Sequence, residues 1–465
     1  MATPATVRFD GVEYPPLGRG EYDVIIFGVG FRECLLASLL IKANKNVLLI
    51  SKKSSITWDN TGFDLNKLFQ RFREEEPIDE DYEALGSNKD YHVDLIPKVL
   101  LSYGLMASLL KDIGVYDKLE WESVAPMVYS GRNKRVYRLP CSPEDANRSP
   151  LLTMMQKMRW KNFLQAIGEK EKHPDLPSSH AQPSTVSMDE VYEKYGISEG
   201  SRAFIGHGMA MYPNDDYLDD SPKPFFSRIQ QYLTACASNT SPFLYLVSGK
   251  QQLCSVLRDH LAANAAHCDQ LLQLSPCHSP LTPSTSKQLV FENSHVAGVV
   301  VGERAARAPA VVGDCTWFRS DRQKKVGKVI RSVCLLNHPI DGCEPGASLV
   351  VEVFRKQLVK AGFRPHESDI HALCLSWKTK VCPKGIYVVT LSTTVETQKP
   401  GKELEPVVEM LGGVLEQFDS VTTIYKSKKA TRMQGIHIFR SPDASVSLES
   451  VAEDVITVFN QVVTK

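Results

Sequence analysis

The segment FGVGFREC, residues 27–34, has the glycine spacing of a dinucleotide-binding loop except at one position. Gly28 and Gly30 stand where a G-x-G-x-x-G loop has its first two glycines, and Glu33 stands where it has the third. In such a loop the glycines let the backbone approach a pyrophosphate, and the following helix donates its free N–H groups to it. YDVII precedes the segment and LLASLLI follows it. The sequence therefore predicts a strand–turn–helix unit of this kind, with an acidic residue in place of the third glycine.

Two positions argue against nucleotide binding at this loop. Glu33 falls in the first helical turn, where a carboxylate satisfies free N–H donors itself and repels an incoming phosphate. The second strand of such a unit ends in an acidic residue that binds ribose, but here it ends in Ser51, followed by Lys52 and Lys53. We therefore expect no flavin, nicotinamide or other cofactor. A flavin-dependent oxidoreductase is the alternative from another functional class. For Glu33 itself, the structural alternative is that its side chain caps the helix.

Two further patterns are typical of catalytic or metal sites. GISEG, residues 196–200, matches the G-x-S-x-G of serine hydrolases, which requires a strand before the serine. VYEKY precedes it and has helical character, so a helix–helix turn is the better interpretation. His260 and His267 could share a helix face, with Cys254 and Cys268 nearby. No further ligand has metal spacing, so we expect a surface helix and no metal.

The apolar pattern predicts an α/β chain interrupted by helices. Strands Tyr22–Phe27 and Asn46–Ile50, with a helix Phe31–Lys45 between them, form a βαβ unit. Helical spacing is expected over residues 65–73, 95–113, most of 151–236, and 448–463. Strands return after about residue 285, beginning with a hairpin across Asn293 and Ser294. This order predicts a discontinuous α/β domain with a mainly helical domain inserted in it.

The composition is that of a soluble globular protein, with 43% hydrophobic and 23% charged residues in 465. The 54 basic and 54 acidic residues cancel, so nothing indicates a nucleic-acid partner or a general attraction to anionic membranes. The apolar run 34–41 is too short to span a bilayer, and the N-terminus lacks a signal-peptide pattern. The 11 cysteines are scattered without a C-x-x-C pair, as in reduced proteins. We expect a cytoplasmic location.

Several segments, taken in order, resemble the Rab GDP dissociation inhibitors and the related Rab escort proteins. Family-like segments are Glu33-Cys34, HVDLIPKVL (92–100), DDYLD (215–219) and SPFLYL (241–246). KVGKVIRSVCLLNHPI (325–340) and STTVETQKPGKELEP (392–406) are more similar to the inhibitors, whereas LPCSPED (139–145) and CPKGIY (382–387) lean toward the escort proteins. The resemblance covers roughly residues 21–462. It implies a flavoprotein-like, Rossmann-type α/β fold that holds no flavin.

The same resemblance implies a function without catalysis. It indicates a carrier that binds GDP-bound, geranylgeranylated Rab-type GTPases, slows GDP release and recycles the GTPases between membranes in vesicle transport. Such a protein would be a cytoplasmic monomer that contacts membranes transiently. The runner-up within the family is a Rab escort protein, the accessory component of Rab geranylgeranyltransferase.

The resemblance also implies a division of the chain. Residues 1–20 would be an N-terminal extension. Residues 21–124 and 237–465 would form the discontinuous α/β domain that carries the GTPase-binding platform. Residues 125–236 would form the mainly helical domain that holds the prenyl pocket.

The expected GTPase-binding platform departs from the family pattern. The family segment Tyr-Gly-x-Gly-Glu-Leu-Pro-Gln, with an arginine a few residues on, is here SGKQQLCS followed by Arg258 and Asp259. The candidate contacts are Ser248, Lys250, Gln252, Arg258 and Asp259. SSITW (54–58) replaces the family's Tyr-Tyr-Gly-Gly turn, and the mobile loop lacks its Arg-Tyr and is one residue shorter. Because changed charges alter partner choice, we expect a narrowed, shifted or lost set of GTPases.

Two other sites follow from the resemblance. The loop 237–246 would bind the GTPase's C-terminal tail, with Pro242, Phe243 and Tyr245 as candidates. The prenyl-pocket candidates are Met154, Met155, Met158, Phe204 and Met209. A methionine stripe at helical spacing is ordinary core by default, although methionine also suits a pocket that opens for a flexible lipid.

Overall fold

The structure is a computed structural model that describes residues 6–52, 62–168, 186–212, 214–238, 240–274, 287–318, 323–427 and 435–464. The α-helices of these residues are α1 Phe31–Lys42, α2 Leu65–Arg73, α3 Asp79–Leu85, α4 Leu105–Asp112, α5 Pro143–Arg148, α6 Met154–Gly168, α7 Met188–Lys194, α8 Glu199–Ala203, α9 Pro222–Ala237, α10 Lys250–Ala263, α11 Arg355–Lys360, α12 Gly401–Leu411 and α13 Glu449–Val463. A π-helical turn, Phe204–Met209, follows α8.

The strands of the described residues form four sheets. They are β1 Val7–Phe9, β2 Val12–Tyr14, β3 Pro16–Glu21, β4 Val24–Phe27, β5 Val47–Lys52, β6 Leu100–Leu101, β7 Trp121–Ser130, β8 Arg135–Arg138, β9 Phe243–Leu246, β10 Cys268–Leu274, β11 Lys287–Glu292, β12 His295–Val301, β13 Arg304–Arg307, β14 Ala310–Gly313, β15 Gln323–Leu336, β16 Ser348–Val353, β17 Ile370–Ser376, β18 Tyr387–Thr394, β19 Glu416–Ser427 and β20 Ile436–Ile438.

A five-stranded parallel sheet, in the order β10-β5-β4-β14-β20, positions the glycine-containing loop. Both faces of this sheet are covered, as is usual for parallel sheets. Val24 and Ile26 of β4 pack with α1, α4, α10 and α13, whereas Ile25 and Phe27 face the core shared with β12 and β13. Burying one such side chain contributes about 1.5–3 kcal/mol. The predicted βαβ unit is confirmed, although its helix ends at Lys42 and Asn44 has a left-handed φ of 57°.

A nine-stranded sheet forms the second layer, in the order β19-β15-β18-β17-β16-β7-β9-β6, with β8 paired to β7. Its pairs are antiparallel except β16 with β7. The strands predicted after residue 285 are thus confirmed. The predicted hairpin joins β11 to β12, and Asn293 and Ser294 have φ of 51° and 64°, as a tight hairpin turn requires.

One expectation about the elements is wrong. Residues 95–113 are helical only in α4, because Val99 donates its N–H to Val446 (2.7 Å) and β6 pairs with β9. The described part of residues 125–236 is mainly helical, as expected, although it begins with the end of β7 and with β8 and its helices begin at Pro143. The segment expected to be an N-terminal extension contributes three strands, of which β3 joins β13 in the four-stranded sheet β11-β12-β13-β3. The division into domains stays a prediction.

A partly buried ionic network joins the helical segment to the nine-stranded sheet, with His207 and Asp369 buried and Asp215 and Arg355 half-buried. His207, in the π-helical turn, hydrogen-bonds through Nδ1 to Asp369 and has Nε2 at 3.1 Å from Asp215 Oδ1. Arg355 also pairs with Asp215, and its backbone N–H donates to Asp369 Oδ1 (2.8 Å). Burial alone lowers the pKa of His207, but the two carboxylates outweigh it and raise the pKa to about 9. A charged His207 therefore stabilises this junction at neutral pH.

We predict that Asp215→Asn destabilises the protein more at pH 7 than above pH 9. Stability from a raised histidine pKa is complete below the unfolded value near 6.5 and is lost as the pH rises through about 9. The variant should lose roughly 1 kcal/mol of unfolding free energy at pH 7, because it loses charged hydrogen bonds that solvent partly screens at the half-buried Asp215. Denaturant titrations across this pH range measure the difference between the two proteins.

Each measurement compares wild type with the variant, because a second group also titrates in this range. Burial lowers the pKa of Lys98 to about 8, so its contribution to stability rises with pH while that of His207 falls. The exposed Asp117 is a matched control, and Asp117→Asn should leave stability unchanged at every pH. A destabilisation by Asp215→Asn that is the same at pH 7 and above pH 9 would contradict the role given to charged His207.

Candidate functional site

The glycine-containing loop is closed by its own acidic residue. Gly28 has a φ of 113°, which favours glycine, and Gly30 is the N-cap of α1. Glu33 is buried in the first turn of α1, and a Cβ added to Gly28 would lie 3.0 Å from Glu33 Cγ and 3.2 Å from Cδ. The acidic side chain therefore occupies the place above Gly28 that a pyrophosphate needs. This geometry supports the expectation that the loop binds no dinucleotide.

A cleft of about 560 Å³ is lined in part by the loop itself, including Gly28, Gly30 and Glu33. Arg32 and Arg440 approach Asp454 there, at 4.0 and 3.8 Å. The buried Lys98 donates to the Ser445 carbonyl (2.6 Å). These charged groups are thus used within the chain. Ser51 is buried one residue before the end of β5 at Lys52, and Lys53 and the segment SSITW lie outside the described residues.

Asp94 anchors the start of the proposed platform, although sequence reasoning did not single it out. Its buried carboxylate accepts hydrogen bonds from the Tyr245 hydroxyl (2.7 Å) and from the Lys250 backbone N–H (3.0 Å). Ser248 has a φ of 62° and donates its N–H to Thr379 (2.7 Å). Asp94 lies in the family-like segment HVDLIPKVL, which was the available signal. An acidic residue at a helix N-terminus stabilises that helix, so Asp94 fixes where α10 begins.

The five platform candidates differ in accessibility. Arg258 and Asp259 are exposed on the outer face of α10. Lys250 is partly buried and its Nζ donates to the Ile96 carbonyl, while the Gln252 Oε1 atom is buried. The structure places Ser248 in the turn before α10 and the other four candidates on α10 itself. It leaves Arg258 and Asp259 as the charged side chains that a partner can reach.

The candidates for a tail-binding loop are not in a loop. Pro242 precedes β9, and Phe243 and Tyr245 are buried in that strand between β7 and β6. Phe243 is fully buried, and the hydroxyl of Tyr245 is bonded to Asp94. The expectation that Phe243 and Tyr245 lie in a loop is wrong, because pairing on both edges of β9 fixes them in the core. A role of this segment in binding a tail stays a prediction.

The prenyl-pocket candidates fall into two separate places. Met154, Met155 and Met158 are exposed on α6, whereas Phe204 and Met209 are buried in the helical core. The core of α6 is instead formed by Trp160, Phe163 and Ile167. The default expectation that the methionines are core is therefore wrong, because the aromatic stripe of the same helix faces inward and buries more area. Their role toward a prenyl group stays a prediction.

The two rival motifs have structural explanations. GISEG spans the turn between α7 and α8 and the first two residues of α8, as the helix–helix interpretation predicts. The Ser198 hydroxyl contacts Ser201 (3.0 Å) and Gln156 (3.1 Å). His260 lies on α10, but His267 lies beyond its end, so the idea of a shared helix face is wrong. No group of three histidine, cysteine or acidic residues in the described part of the chain could hold a metal ion.

Among the described helices, none is long and apolar enough to span a bilayer.

Sequence comparisons place the chain in a family. A sequence profile of the GDP dissociation inhibitors matches residues 19–465. The chain belongs to the Rab GDP dissociation inhibitor family. It is 31% identical over 445 residues to the Rab GDP-dissociation inhibitor of Saccharomyces cerevisiae, covering 95% of each chain. It is 30% identical to a probable secretory pathway GDP dissociation inhibitor 1 of Schizosaccharomyces pombe, covering 95% of this chain and 96% of that protein.

Solved structures agree with the family fold. The Rab GDP dissociation inhibitor of Plasmodium falciparum superposes with a TM-score of 0.80 at 27% identity, covering 96% of this chain and 98% of that one. An oxidoreductase of Methanosarcina mazei matches more weakly, with a TM-score of 0.54 at 13% identity over 94% of this chain and all of that one. The predicted family and the flavoprotein-like fold class are both confirmed. The family is defined by a regulatory function, the inhibition of GDP dissociation.

We predict that the purified chain carries no stoichiometric flavin or nicotinamide, and that Glu33→Gly does not create binding. The substitution clears the space above Gly28, but the strand that should supply an acidic ribose contact still ends in Ser51 and Lys52. Visible absorption of the native protein and chromatography of the denatured supernatant measure bound cofactor. Glu33→Gln, which keeps the volume and removes the charge, is the matched control. Release of one flavin per wild-type chain would contradict this account of the loop.

Proposed function

We propose that this Rab GDP dissociation inhibitor family member carries GDP-bound, geranylgeranylated Rab-type GTPases through the cytoplasm, without catalysing a reaction. In this role it slows GDP release, extracts the GTPases from membranes and returns them. Family membership over residues 19–465 is the observation that carries the proposal. The filled loop at Gly28 supports it, because that loop is where the fold would otherwise hold a cofactor.

The outer face of α10 is the proposed contact for the GTPase. Arg258 and Asp259 are exposed there, and Asp94 holds the start of the helix. A charged side chain on a rigid helix contributes specificity at little ordering cost, which suits recognition of one nucleotide state. The half-buried Gln252 carries no charge, and the half-buried Lys250 directs its ammonium to the Ile96 carbonyl, so neither adds charge to the outer face of the helix.

The helical segment is the proposed shelter for the geranylgeranyl group. Its aromatic core includes Trp160, Phe204 and Phe225, and Met209 packs within it. Burial of a lipid is worth about 0.8 kcal/mol per CH₂, which is the size of interaction that competition with a bilayer requires. Phe204 and Met209 remain the candidates for this pocket, which would open between helices that are packed together in the free protein.

We predict that the chain extracts a geranylgeranylated, GDP-loaded Rab-type GTPase from liposomes and extracts the GTP-loaded form much less. The reason is that the switch segments of a GTPase change order with the nucleotide. Sedimentation of the liposomes after incubation separates extracted from bound GTPase. A GDP-loaded GTPase without its prenyl group is the control for lipid dependence.

Equal extraction of the two nucleotide forms at matched concentrations would contradict a dissociation inhibitor. Stable association with the catalytic subunits of the prenyltransferase would instead favour the escort protein as the function.

We predict that Arg258→Ala weakens binding of the prenylated GTPase, by ~1–3 kcal/mol if Arg258 makes charge-assisted hydrogen bonds. Asp259→Arg should change affinity little if Arg258 takes the place of the family's arginine. Titration of one labelled prenylated GTPase against each variant measures the affinities. Arg304→Ala, which removes another exposed arginine from β13, is the matched control. Unchanged affinity in both α10 variants would place the platform on another surface.

A further inference from the structure

Three methionines form an exposed apolar face on α6. The side chains of Met154, Met155 and Met158 are 84%, 60% and 60% exposed. Positions 154 and 158 lie one helical turn apart and 155 lies beside them, so the three share one face of the helix. The opposite face already supplies the core contacts, because Trp160 is 2% exposed and Phe163 is fully buried. The exposed methionines are therefore not needed to pack the helix.

Basic side chains of α6 flank this face. Between Met154 and Gly168 the chain has Lys157, Arg159 and Lys161 and no acidic residue. Lys157 donates to the Asn147 carbonyl (2.5 Å) and Arg159 to the Gly196 carbonyl (2.9 Å), so neither charge is neutralised by these bonds. Lys161 is exposed, one turn beyond Met158. The charges of the whole chain cancel, so this local excess of cations is a property of α6.

Apolar side chains ringed by cations match one type of partner best. Flexible methionines can enter the boundary between lipid headgroups and acyl chains, while lysine and arginine stems pack there and keep their charges at the headgroups. Anionic lipids attract such basic residues over about a Debye length. A second copy of the chain is a poorer partner, because a two-fold contact would bring three cations against three cations.

We propose that this methionine face of α6, from Met154 to Lys161, docks on an anionic phospholipid surface. The area is small, so the contact is weak and reversible. Its use rests on the proposed function, in which a carrier of lipidated GTPases must approach a membrane before it takes up or delivers its cargo. The contact itself needs no GTPase and can be measured without one.

The test is flotation of the full chain, without any GTPase, with vesicles of phosphatidylcholine alone or mixed with phosphatidylserine. Wild type should bind the mixed vesicles, and binding should fall as salt is raised. The triple variant Met154→Ser, Met155→Ser, Met158→Ser should bind at least about fivefold less. Lys157→Glu with Lys161→Glu should show a similar loss and little remaining dependence on salt.

The matched control is Val326→Ser, Val359→Ser, Val421→Ser, which removes three exposed apolar side chains from other surfaces and should bind as wild type does. Circular dichroism should show unchanged folding in every variant, because the substituted side chains are exposed except Lys157, which is half-buried and outside the core. Equal binding of wild type to both vesicle types, absence of binding, or unchanged binding by the methionine variant would overturn the proposal.

Self-association of wild type that the methionine variant abolishes, without vesicle binding, would also overturn it and would assign the face to a dimer contact. The vesicle-binding result can be distinguished from a test of the proposed carrier function. Normal vesicle binding with failed extraction counts against the carrier function, whereas failed vesicle binding with normal extraction counts against this face alone.

Discussion

The contact between Glu33 and the Gly28 turn is the constraint on which the rest of the structure depends. The fold keeps a parallel sheet, a left-handed glycine and a helix N-terminus, which together attract phosphate in related folds. Here a buried carboxylate of the same helix takes that place. With Glu33 in this place, the chain keeps the flavoprotein-like architecture without the open glycine loop of a dinucleotide site. This agrees with the weak structural likeness to an oxidoreductase and the strong likeness to a Rab GDP dissociation inhibitor.

Two buried acidic anchors connect this architecture to the surfaces that we propose to be functional. Asp94 joins Tyr245 of the large sheet to the first turn of α10, and thereby fixes the outer face of that helix. Asp369 and Asp215 hold His207, and thereby fix the π-helical turn of the helical segment against the sheet. π-Helical turns are frequent at functional sites. A change in the charge of His207 would loosen the helical segment while leaving α10 anchored, because the two anchors share no residue.

Local sequence patterns predicted the helices, strands and turns that are determined by residues close together in the sequence. The βαβ unit, α9, the hairpin at Asn293 and the late strands follow from apolar periodicity and turn residues. The orientation of α6 could not be predicted, since both its methionine stripe and its aromatic stripe have helical spacing and only the surrounding core selects one. The segment SPFLYL was expected in a loop because of its resemblance to a loop segment. Its strand could not be predicted, because it pairs with β7 and β6, which are distant in sequence. His207 and Asp369 are 162 positions apart, so only the fold brings them together.

The central claim is that a filled cofactor loop accompanies a surface that binds a GTPase in its GDP form. Its most direct test is the rate at which a fluorescent GDP analogue leaves a prenylated Rab-type GTPase, measured with increasing concentrations of this protein. The account predicts that release slows and that the effect saturates at one chain per GTPase. A release rate that is independent of the protein, at concentrations where the GTPase is stable and lipid-modified, would contradict it.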